Sequence, residues 1–178
     1  MLRKRNDFEI IELLRKEPSH IRQIGEDLGL IPSTVMRIMK QLEEENIVDF
    51  KQQGKNKTYF LKETPEAKIY LFITEHYKLL KIIQQPKLRR IIKELQNKTK
   101  GELIALFGSQ AKGTTTKNSD IDIYLETTDK KLREKTRLIS EKLSVKIGEL
   151  DKENLLTKEI IKNHVIIQNL ERFYQLIK

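Results

Sequence analysis

Two aspartates separated by one residue are the part of the sequence best suited to chemistry. Asp120 and Asp122 alternate with Ile121 and Ile123 in an otherwise apolar segment, which predicts a strand. Residues two apart on a strand share a face, so the two carboxylates lie side by side, with their Cα atoms about 7 Å apart. Adjacent carboxylates repel each other and are costly to desolvate without a cation between them. The pair therefore predicts a site for a hard divalent cation such as Mg²⁺.

A glycine-serine turn upstream supplies the second part of this site. The apolar run over residues 103–107 has the length of a buried strand, and after Gly108 and Ser109 the residues 110–112 can begin a helix. Glycine lets the backbone approach a ligand closely, and the N–H groups at the start of a helix favour an anion. Mg²⁺ is commonly held by carboxylates together with the phosphates of a nucleotide. The turn and the aspartates therefore predict a site for a metal-bound nucleotide.

The order of these residues carries a family resemblance. Gly108-Ser109 is followed, after a polar turn, by Ser119 and then by the aspartate pair. This order resembles the signature of the polymerase-beta-like nucleotidyltransferase superfamily, in particular its minimal nucleotidyltransferases, over residues 87–178. The resemblance implies transfer of a nucleoside monophosphate from an NTP to an acceptor hydroxyl on a protein or a nucleic acid. Some minimal nucleotidyltransferases modify a partner protein in toxin–antitoxin pairs.

The resemblance also assigns roles to residues of this sequence. Asp120 and Asp122 are implied to be catalytic and to hold one Mg²⁺ ion or two. Gly108 and Ser109 are implied to cradle the β- and γ-phosphates of the NTP. Lys112 is implied to assist in binding these phosphates.

One position departs from the family pattern. The superfamily usually has a third carboxylate on the next strand, predicted here at residues 144–150, and Lys146 occupies that slot. Either Glu149 is recruited through a bulge at Gly148, or the third ligand is absent. The sequence is therefore also consistent with a second hypothesis. In this alternative the protein is a DNA-binding transcriptional regulator whose nucleotidyltransferase domain is degenerate and only binds nucleotide or mediates dimerisation.

Composition narrows the class of protein. The 178 residues suffice for one or two small domains, and the absence of cysteine excludes disulfides and thiolate metal sites. With no apolar run of membrane-spanning length and no signal-peptide core, we expect a cytoplasmic protein without a membrane partner. The net charge of +9 is uneven, at −2 for residues 1–50, +9 for 51–100 and +2 for 101–178. This distribution predicts an anionic partner near the middle of the chain.

The first third of the chain has the pattern of a DNA-binding domain. Apolar residues at helical spacing predict helices ending near Pro18, closed by Gly29, and starting at Pro32. Two short strand patterns, at 47–50 and 58–61, flank a basic hairpin tip with Gly54. This arrangement resembles the winged helix-turn-helix of bacterial and archaeal transcription regulators, which implies double-stranded DNA as a partner.

The predicted DNA contacts follow from helix-turn-helix docking, in which the start of the second motif helix enters the major groove. Off the apolar face of that helix, Arg37 is the best candidate for a guanine contact. Lysines at the wing tip are predicted to contact phosphates. The complete set of predicted DNA-binding residues is Ser33, Thr34, Arg37, Lys40, Lys55 and Lys57.

The predicted fold class is α+β, with an N-terminal winged helix-turn-helix and a C-terminal α/β nucleotidyltransferase domain that has a small mixed sheet. The domains are predicted as 1–63 for the winged helix, 64–86 for a connecting helix and 87–178 for the nucleotidyltransferase-like domain. The connecting helix, apolar over residues 65–83, either packs against its twin in a homodimer or only bridges the domains. Further on, residues 131–143 are predicted to form one helix.

Overall fold

The computed structural model describes residues 2–54, 56–99, 101–116 and 118–177. The chain divides into two compact units, residues 1–77 and residues 78–178, each with its own apolar core. Both units contain helices and one small sheet, antiparallel in the first unit and mixed in the second, which confirms the predicted α+β class. Among the described residues, no helix is long and apolar enough to span a membrane.

The first unit has the architecture of a winged helix. Its three-stranded sheet has the order β1-β3-β2, and all of its strand pairs are antiparallel. Helices pack on this sheet through buried residues such as Ile10, Ile24 and Met39. The elements are α1 (Asn6–Lys16), β1 (Ser19–His20), α2 (Ile21–Leu28), α3 (Pro32–Glu44), β2 (Val48–Gln53), β3 (Asn56–Leu61) and α4 (Pro65–Ile82), whose C-terminal end lies in the second unit.

The turn between α2 and α3 depends on two glycines. Gly29 ends α2 with a φ of 64°, in the left-handed region that glycine adopts without strain. Gly25, inside α2, accepts a hydrogen bond from the backbone N–H of Leu30 at 2.8 Å. A Cβ atom added to Gly25 would lie 2.8 Å from the Leu30 carbonyl oxygen, so the turn closes on a position without a side chain.

The strand β1 was missed by sequence reasoning, which only ended the first helix near Pro18. Ser19 and His20 pair with Tyr59 and Thr58 of β3 and add a third strand to the wing sheet. A strand of two residues has no periodicity to detect. Its pairing is determined by the position of β3, which is distant in sequence.

The second unit contains a small mixed sheet, as predicted, and this sheet has four strands. Its strand order is β6-β5-β4-β7; β5 and β6 are parallel, and the other neighbours are antiparallel. One face of the sheet packs on α5 through residues such as Leu88, Ile91 and Leu95. The elements are α5 (Pro86–Lys98), β4 (Ile104–Phe107), α6 (Gly108–Lys112), β5 (Ile121–Glu126), α7 (Lys130–Arg137), β6 (Leu143–Gly148), α8 (Leu155–Lys162), β7 (Val165–Gln168) and α9 (Leu170–Leu176).

The helix predicted over residues 131–143 is longer than the helix in the structure. In the structure α7 ends at Arg137, Leu138 is 83% exposed, and Leu143 is buried at the start of β6. Leu143 stands opposite Ile121 in the parallel β5–β6 pair. Pairing with β5 therefore overrides the helical spacing of the apolar residues, which by itself does not separate a helix from the strand that follows it.

Replacing Gly25 by alanine is expected to destabilise the first unit by about 2 kcal/mol, because the new methyl group would overlap the Leu30 carbonyl. Gly29→Ala is the matched control: nothing lies within 4 Å of its added Cβ, so only left-handed strain of about 1 kcal/mol is expected. Hydrogen exchange of the α2 and α3 amides measures both effects. Equal protection in the Gly25 variant and the wild type would contradict the close packing of this turn.

Candidate functional site

Strand pairing positions the two aspartates. Asp120 directly precedes β5, and Asp122 is the second residue of β5, opposite Phe107 of β4 and Ser144 of β6. The intervening Ile121 is buried in the core on the other face of the sheet. The two carboxylates therefore share the face opposite α5, as strand alternation predicts. Asp120 is exposed and Asp122 is half-buried.

Gly108 brings the glycine-serine turn against this pair. It begins α6 directly after β4, with a φ of 66° in the left-handed region. A Cβ atom added there would overlap Oδ2 of Asp122 and lie 3.2 Å from its Cγ atom. The Asp122 carboxylate thus packs directly against the backbone at the start of α6. The structure brings together the two halves of the predicted motif, which lie 14 positions apart in sequence.

The loop that leads into Asp120 is held by its own hydrogen bonds. The hydroxyl of Ser119 accepts a bond from the backbone N–H of Thr116 at 2.9 Å, and the Ser119 N–H donates to the Thr116 carbonyl at 3.2 Å. Gly113 ends α6 with a φ of 71°, and the Thr114 N–H donates to the Ser109 carbonyl at 3.1 Å. These bonds define the chain path on both sides of the loop and so orient the start of β5.

Both carboxylates lack a partner in the described part of the chain. Neither Asp120 nor Asp122 accepts a hydrogen bond from, or pairs with, any described side chain. A half-buried carboxylate without a protein cation is costly unless a bound cation compensates its charge. Two hard oxygen donors on one strand face fit Mg²⁺, provided that phosphate oxygens or water complete its octahedral shell. Within residues 2–54, 56–99, 101–116 and 118–177, no cluster of three or more His, Asp or Glu suits a metal.

The slot of the third carboxylate holds a lysine in the structure also. Lys146 pairs in register with Tyr124, on the same sheet face as the aspartates, and is exposed. The β5–β6 register is uninterrupted up to the Glu126–Gly148 pair, so Glu149 follows the end of β6, beyond Glu126 and not beside the aspartates. Glu149 instead lines a cavity of about 700 Å³ with Glu126 and Arg172. Glu126 lies four strand residues, or about 13 Å, beyond Asp122.

Tyr124 joins the site face to the end of β6. Its hydroxyl donates to the Gly148 carbonyl at 2.8 Å. Burial, and then the nearby carboxylates of Glu126 and Glu149, raise the pKa of Tyr124 to about 12. The phenol therefore remains neutral at physiological pH and acts as a structural hydrogen-bond donor.

Lys112, the predicted phosphate contact, lies at the end of α6. Its ammonium group donates to Oε1 of Glu159 in α8 at 2.9 Å. Both side chains are about two-fifths exposed, at 41% and 43%, so a bound anion can compete with this ion pair. Ser109 is half-buried beside Gly108 at the helix start.

The predicted DNA-contacting residues of α3 lie on its outer side. Val35 and Met39 of α3 are fully buried, whereas Ser33, Arg37 and Lys40 are exposed and Thr34 is half-buried. Lys40 pairs with Glu44 one turn further along, at 3.7 Å. In the wing, the Lys57 ammonium lies 3.5 Å from the centre of the Phe50 ring. Lys55 lies outside the described residues.

Sequence reasoning missed a basic arm beside Arg37. Arg3, Lys4 and Arg5 line a pocket of about 420 Å³ together with Arg37. Arg5 itself is engaged by Asp7 at 2.7 Å, and this hydrogen bond raises the pKa of Arg5. The run of three cations at residues 3–5 was the available signal. The sequence alone does not show that this run lies next to α3, which is what relates it to the predicted DNA-binding surface.

Comparison with protein families gives two matches, one within each unit. A model described as "Nucleotidyltransferase domain" matches residues 87–175, which is half of the chain. A model described as "Winged helix-turn-helix DNA-binding" matches residues 3–49. These matches confirm the predicted combination of an N-terminal winged helix-turn-helix with a C-terminal nucleotidyltransferase domain.

Individual relatives include a transcriptional regulator and a protein named as an adenylyltransferase. An uncharacterized HTH-type transcriptional regulator of Methanocaldococcus jannaschii is 36% identical over 63 residues, which are 35% of this chain and 16% of the regulator. From the same organism, the protein named "Putative protein adenylyltransferase MJ0126" is 35% identical over 88 residues, 47% of this chain and 84% of that protein. A solved structure of a ZitR mutant from Lactococcus lactis is 22% identical with a TM-score of 0.39, over 56% of this chain and 64% of ZitR. The chain thus spans less than two thirds of the first and the third of these proteins.

Replacing Gly108 by alanine is expected to weaken binding of a magnesium-bound, non-hydrolysable ATP analogue by roughly tenfold or more, because the added methyl group displaces the Asp122 carboxylate. Gly113→Ala is the matched control at the other end of α6. It has the same left-handed backbone and open space around its added Cβ. Calorimetric titration measures both variants. Equal losses in the two variants would show that backbone strain, and not the contact with Asp122, is responsible.

Proposed function

Because the chain belongs to the nucleotidyltransferase domain family and carries a winged helix-turn-helix ahead of that domain, we propose that it transfers a nucleoside monophosphate from an NTP to an acceptor hydroxyl in a magnesium-dependent reaction. The observation that carries this proposal is the half-buried Asp122 carboxylate, which packs on Gly108 beside Asp120 and has no partner among the described residues. Such an arrangement costs free energy unless a cation and its phosphate ligands occupy the site.

The proposed reaction is an in-line substitution at phosphorus. The acceptor oxygen attacks the α-phosphorus of the NTP and forms a new P–O bond. The bond from the α-phosphorus to the oxygen that bridges the α- and β-phosphates breaks, and pyrophosphate leaves with that electron pair. The hydroxyl proton is released to solvent, because the described residues hold no third carboxylate beside the pair. The product is a phosphodiester between the acceptor and the nucleoside.

Each side chain of the site has a proposed part in this reaction. Asp120 and Asp122 would hold one Mg²⁺ or two, and the bound metal would supply charge neutralisation at the phosphates and alignment of the attacking and leaving oxygens. The backbone at Gly108 and Ser109 receives the β- and γ-phosphates, since the absence of a side chain at Gly108 permits a close approach. Lys112 contacts the same phosphates after release from Glu159.

The nature of the acceptor is proposed from one relative. The protein named "Putative protein adenylyltransferase MJ0126" matches over 84% of its length, and its name describes transfer of an adenylyl group to protein. We extend both parts of that description to this chain, with ATP as the nucleotide and a protein hydroxyl as the acceptor.

Asp120→Asn is expected to reduce nucleotidyl transfer by roughly 1,000-fold, since losing one carboxylate removes about 4 kcal/mol of metal-dependent stabilisation of the transition state. Asp151→Asn, an exposed substitution of the same kind elsewhere in the second unit, serves as the control. Release of pyrophosphate from ATP, with magnesium and candidate proteins present, measures the rate. Wild-type activity in the Asp120 variant would eliminate the proposed site.

A second candidate function rests on Lys146. A lysine in the slot of the third carboxylate favours a transcriptional regulator whose second unit binds nucleotide without transferring it. Magnesium-dependent binding of ATP by the wild type, lost in Asp120→Asn but without pyrophosphate release on any acceptor, would establish this alternative.

We also propose that the first unit binds double-stranded DNA and acts in the cytoplasm as part of a homodimer. The cationic side chains of Arg3, Lys4 and Arg37 line one pocket beside the middle of α3. Ile69 and Ile73, one turn apart on α4, are exposed and offer an apolar contact to the same helix of a second copy. Two such units would match the two half-sites of a palindromic operator.

Arg37→Ala is expected to weaken binding to DNA selected from a random duplex pool by about 1 to 3 kcal/mol, and to relax the selected sequence. Lys57→Gln should instead weaken binding to all duplexes equally, since a phosphate contact carries no sequence information. It should also lower the slope of log affinity against log salt concentration by about 1. Lys68→Gln on α4 is the charge-matched control. Electrophoretic mobility shifts over a salt series test this, and unchanged binding in both variants would exclude this face.

A further inference from the structure

A basic pocket lies beside Asp120, on the side away from the glycine-serine turn. We use "basic pocket" for the cavity of about 300 Å³ that is lined by Asp120, Arg133, Arg137, Glu141 and Lys146, together with neighbouring residues of β6. Lys142 adds a fourth cation to its lining. None of these cations has a role in the transfer reaction described above.

The sheet and α7 build this pocket together. β6 is the edge strand of the sheet, and the Nε of Arg133 in α7 donates to the Val145 carbonyl at 3.2 Å. This bond fixes the Arg133 guanidinium at the outer edge of β6. Lys146 reaches the pocket from the face that also carries the aspartates, since it pairs in register with Tyr124. The pocket therefore adjoins the candidate catalytic pair.

Two cations of the basic pocket, Arg137 and Lys146, pair with no carboxylate in the described part of the chain. By contrast, Arg172 and Lys112, in the same unit, pair with Glu126 and Glu159 at 3.1 and 2.9 Å. Unpaired cations gathered in a concave site attract an anion more strongly than the same charges spread over a surface.

The geometry of the proposed reaction places the acceptor at this pocket. β5 lies between β4, which leads into Gly108 and Ser109, and β6. With the β- and γ-phosphates at the Gly108 turn, pyrophosphate leaves on the β4 side. In an in-line substitution the attacking oxygen comes from the opposite side of the phosphorus, which is the β6 side.

We propose that the basic pocket binds acidic residues that flank the target hydroxyl of a protein acceptor. This inference rests on the proposed nucleotidyl transfer and names the substrate class of the same site. Carboxylates from a polypeptide would pair with Arg137 and Lys146, and the guanidinium of Arg137 offers a bidentate contact. Binding there would hold the hydroxyl next to Asp120.

The lining of the pocket favours a polypeptide over a nucleic acid. Single-stranded nucleic acids are bound by extended basic grooves and by aromatic side chains on which bases stack. Among the described residues, no aromatic side chain lines the basic pocket, and the acidic side chain of Glu141 lies among its cations. A compact site with an acid inside it repels a continuous polyanion more than it repels a peptide segment that carries only a few carboxylates.

The test uses the full chain and a fluorescent peptide with a central tyrosine flanked by glutamates. In the presence of a non-hydrolysable ATP analogue and magnesium, we expect the double variant Arg137→Gln/Lys146→Gln to bind this peptide roughly tenfold more weakly than the wild type. The control variant Lys131→Gln/Lys135→Gln removes the same charge from exposed positions of α7 outside the pocket, and should bind as the wild type does. Fluorescence anisotropy at low ionic strength measures the affinities.

Three results would overturn the inference. A peptide with glutamines in place of the glutamates could bind equally well, or both double variants could lose the same affinity. A single-stranded oligonucleotide could also bind more tightly than the acidic peptide and weaken in the Arg137/Lys146 variant, which would assign the pocket to nucleic acid.

Failure of the proposed transfer gives a different pattern. If pyrophosphate release is absent but acidic-peptide binding still falls in the Arg137/Lys146 variant, the proposed role of the pocket is supported and the proposed transfer reaction is contradicted. If transfer occurs without preference for acidic flanks, the proposed transfer reaction is supported and the proposed role of the pocket is contradicted. The two proposals therefore fail separately.

Discussion

The contact between Gly108 and the Asp122 carboxylate is the constraint on which the candidate site depends. Antiparallel pairing places Phe107 opposite Asp122, so the residue after β4 must pass directly beside that carboxylate. A residue with φ of 66° and no room for a Cβ has to be glycine. The arrangement joins a turn that can receive phosphates to a carboxylate that can hold a cation, and the rest of the sheet maintains their register.

Much of this arrangement was predictable from the sequence because it follows from local periodicity. The alternation of Asp120, Ile121 and Asp122 determines which side chains share a face, and the apolar run ahead of Gly108 indicates a buried strand. The winged helix was predictable for the same reason, from regular apolar spacing closed by Gly29 and restarted at Pro32. The DNA, nucleotide and metal roles of these residues remain predictions, since they concern bound partners.

The features that escaped prediction all depend on contacts between distant segments. Ser19 becomes a strand residue only because β3 lies beside it, and Leu143 leaves its predicted helix because β5 pairs with it. The arm at residues 3–5 and the basic pocket are likewise groupings of side chains from separate elements. Composition indicated the positive charge of the chain, but only the fold determines which cations lie together.

Lys146 has opposite meanings under the two functions considered for the second unit. Two aspartates and one lysine sum to a charge of −1, whereas three carboxylates would sum to −3, so the lysine weakens the attraction for metal ions and the repulsion of anions. A degenerate site explains the absent third carboxylate but gives no reason for Arg137 to line the same pocket as Lys146. An acceptor with acidic flanks gives both cations a role. The surroundings of Lys146 therefore favour a changed acceptor over a lost activity.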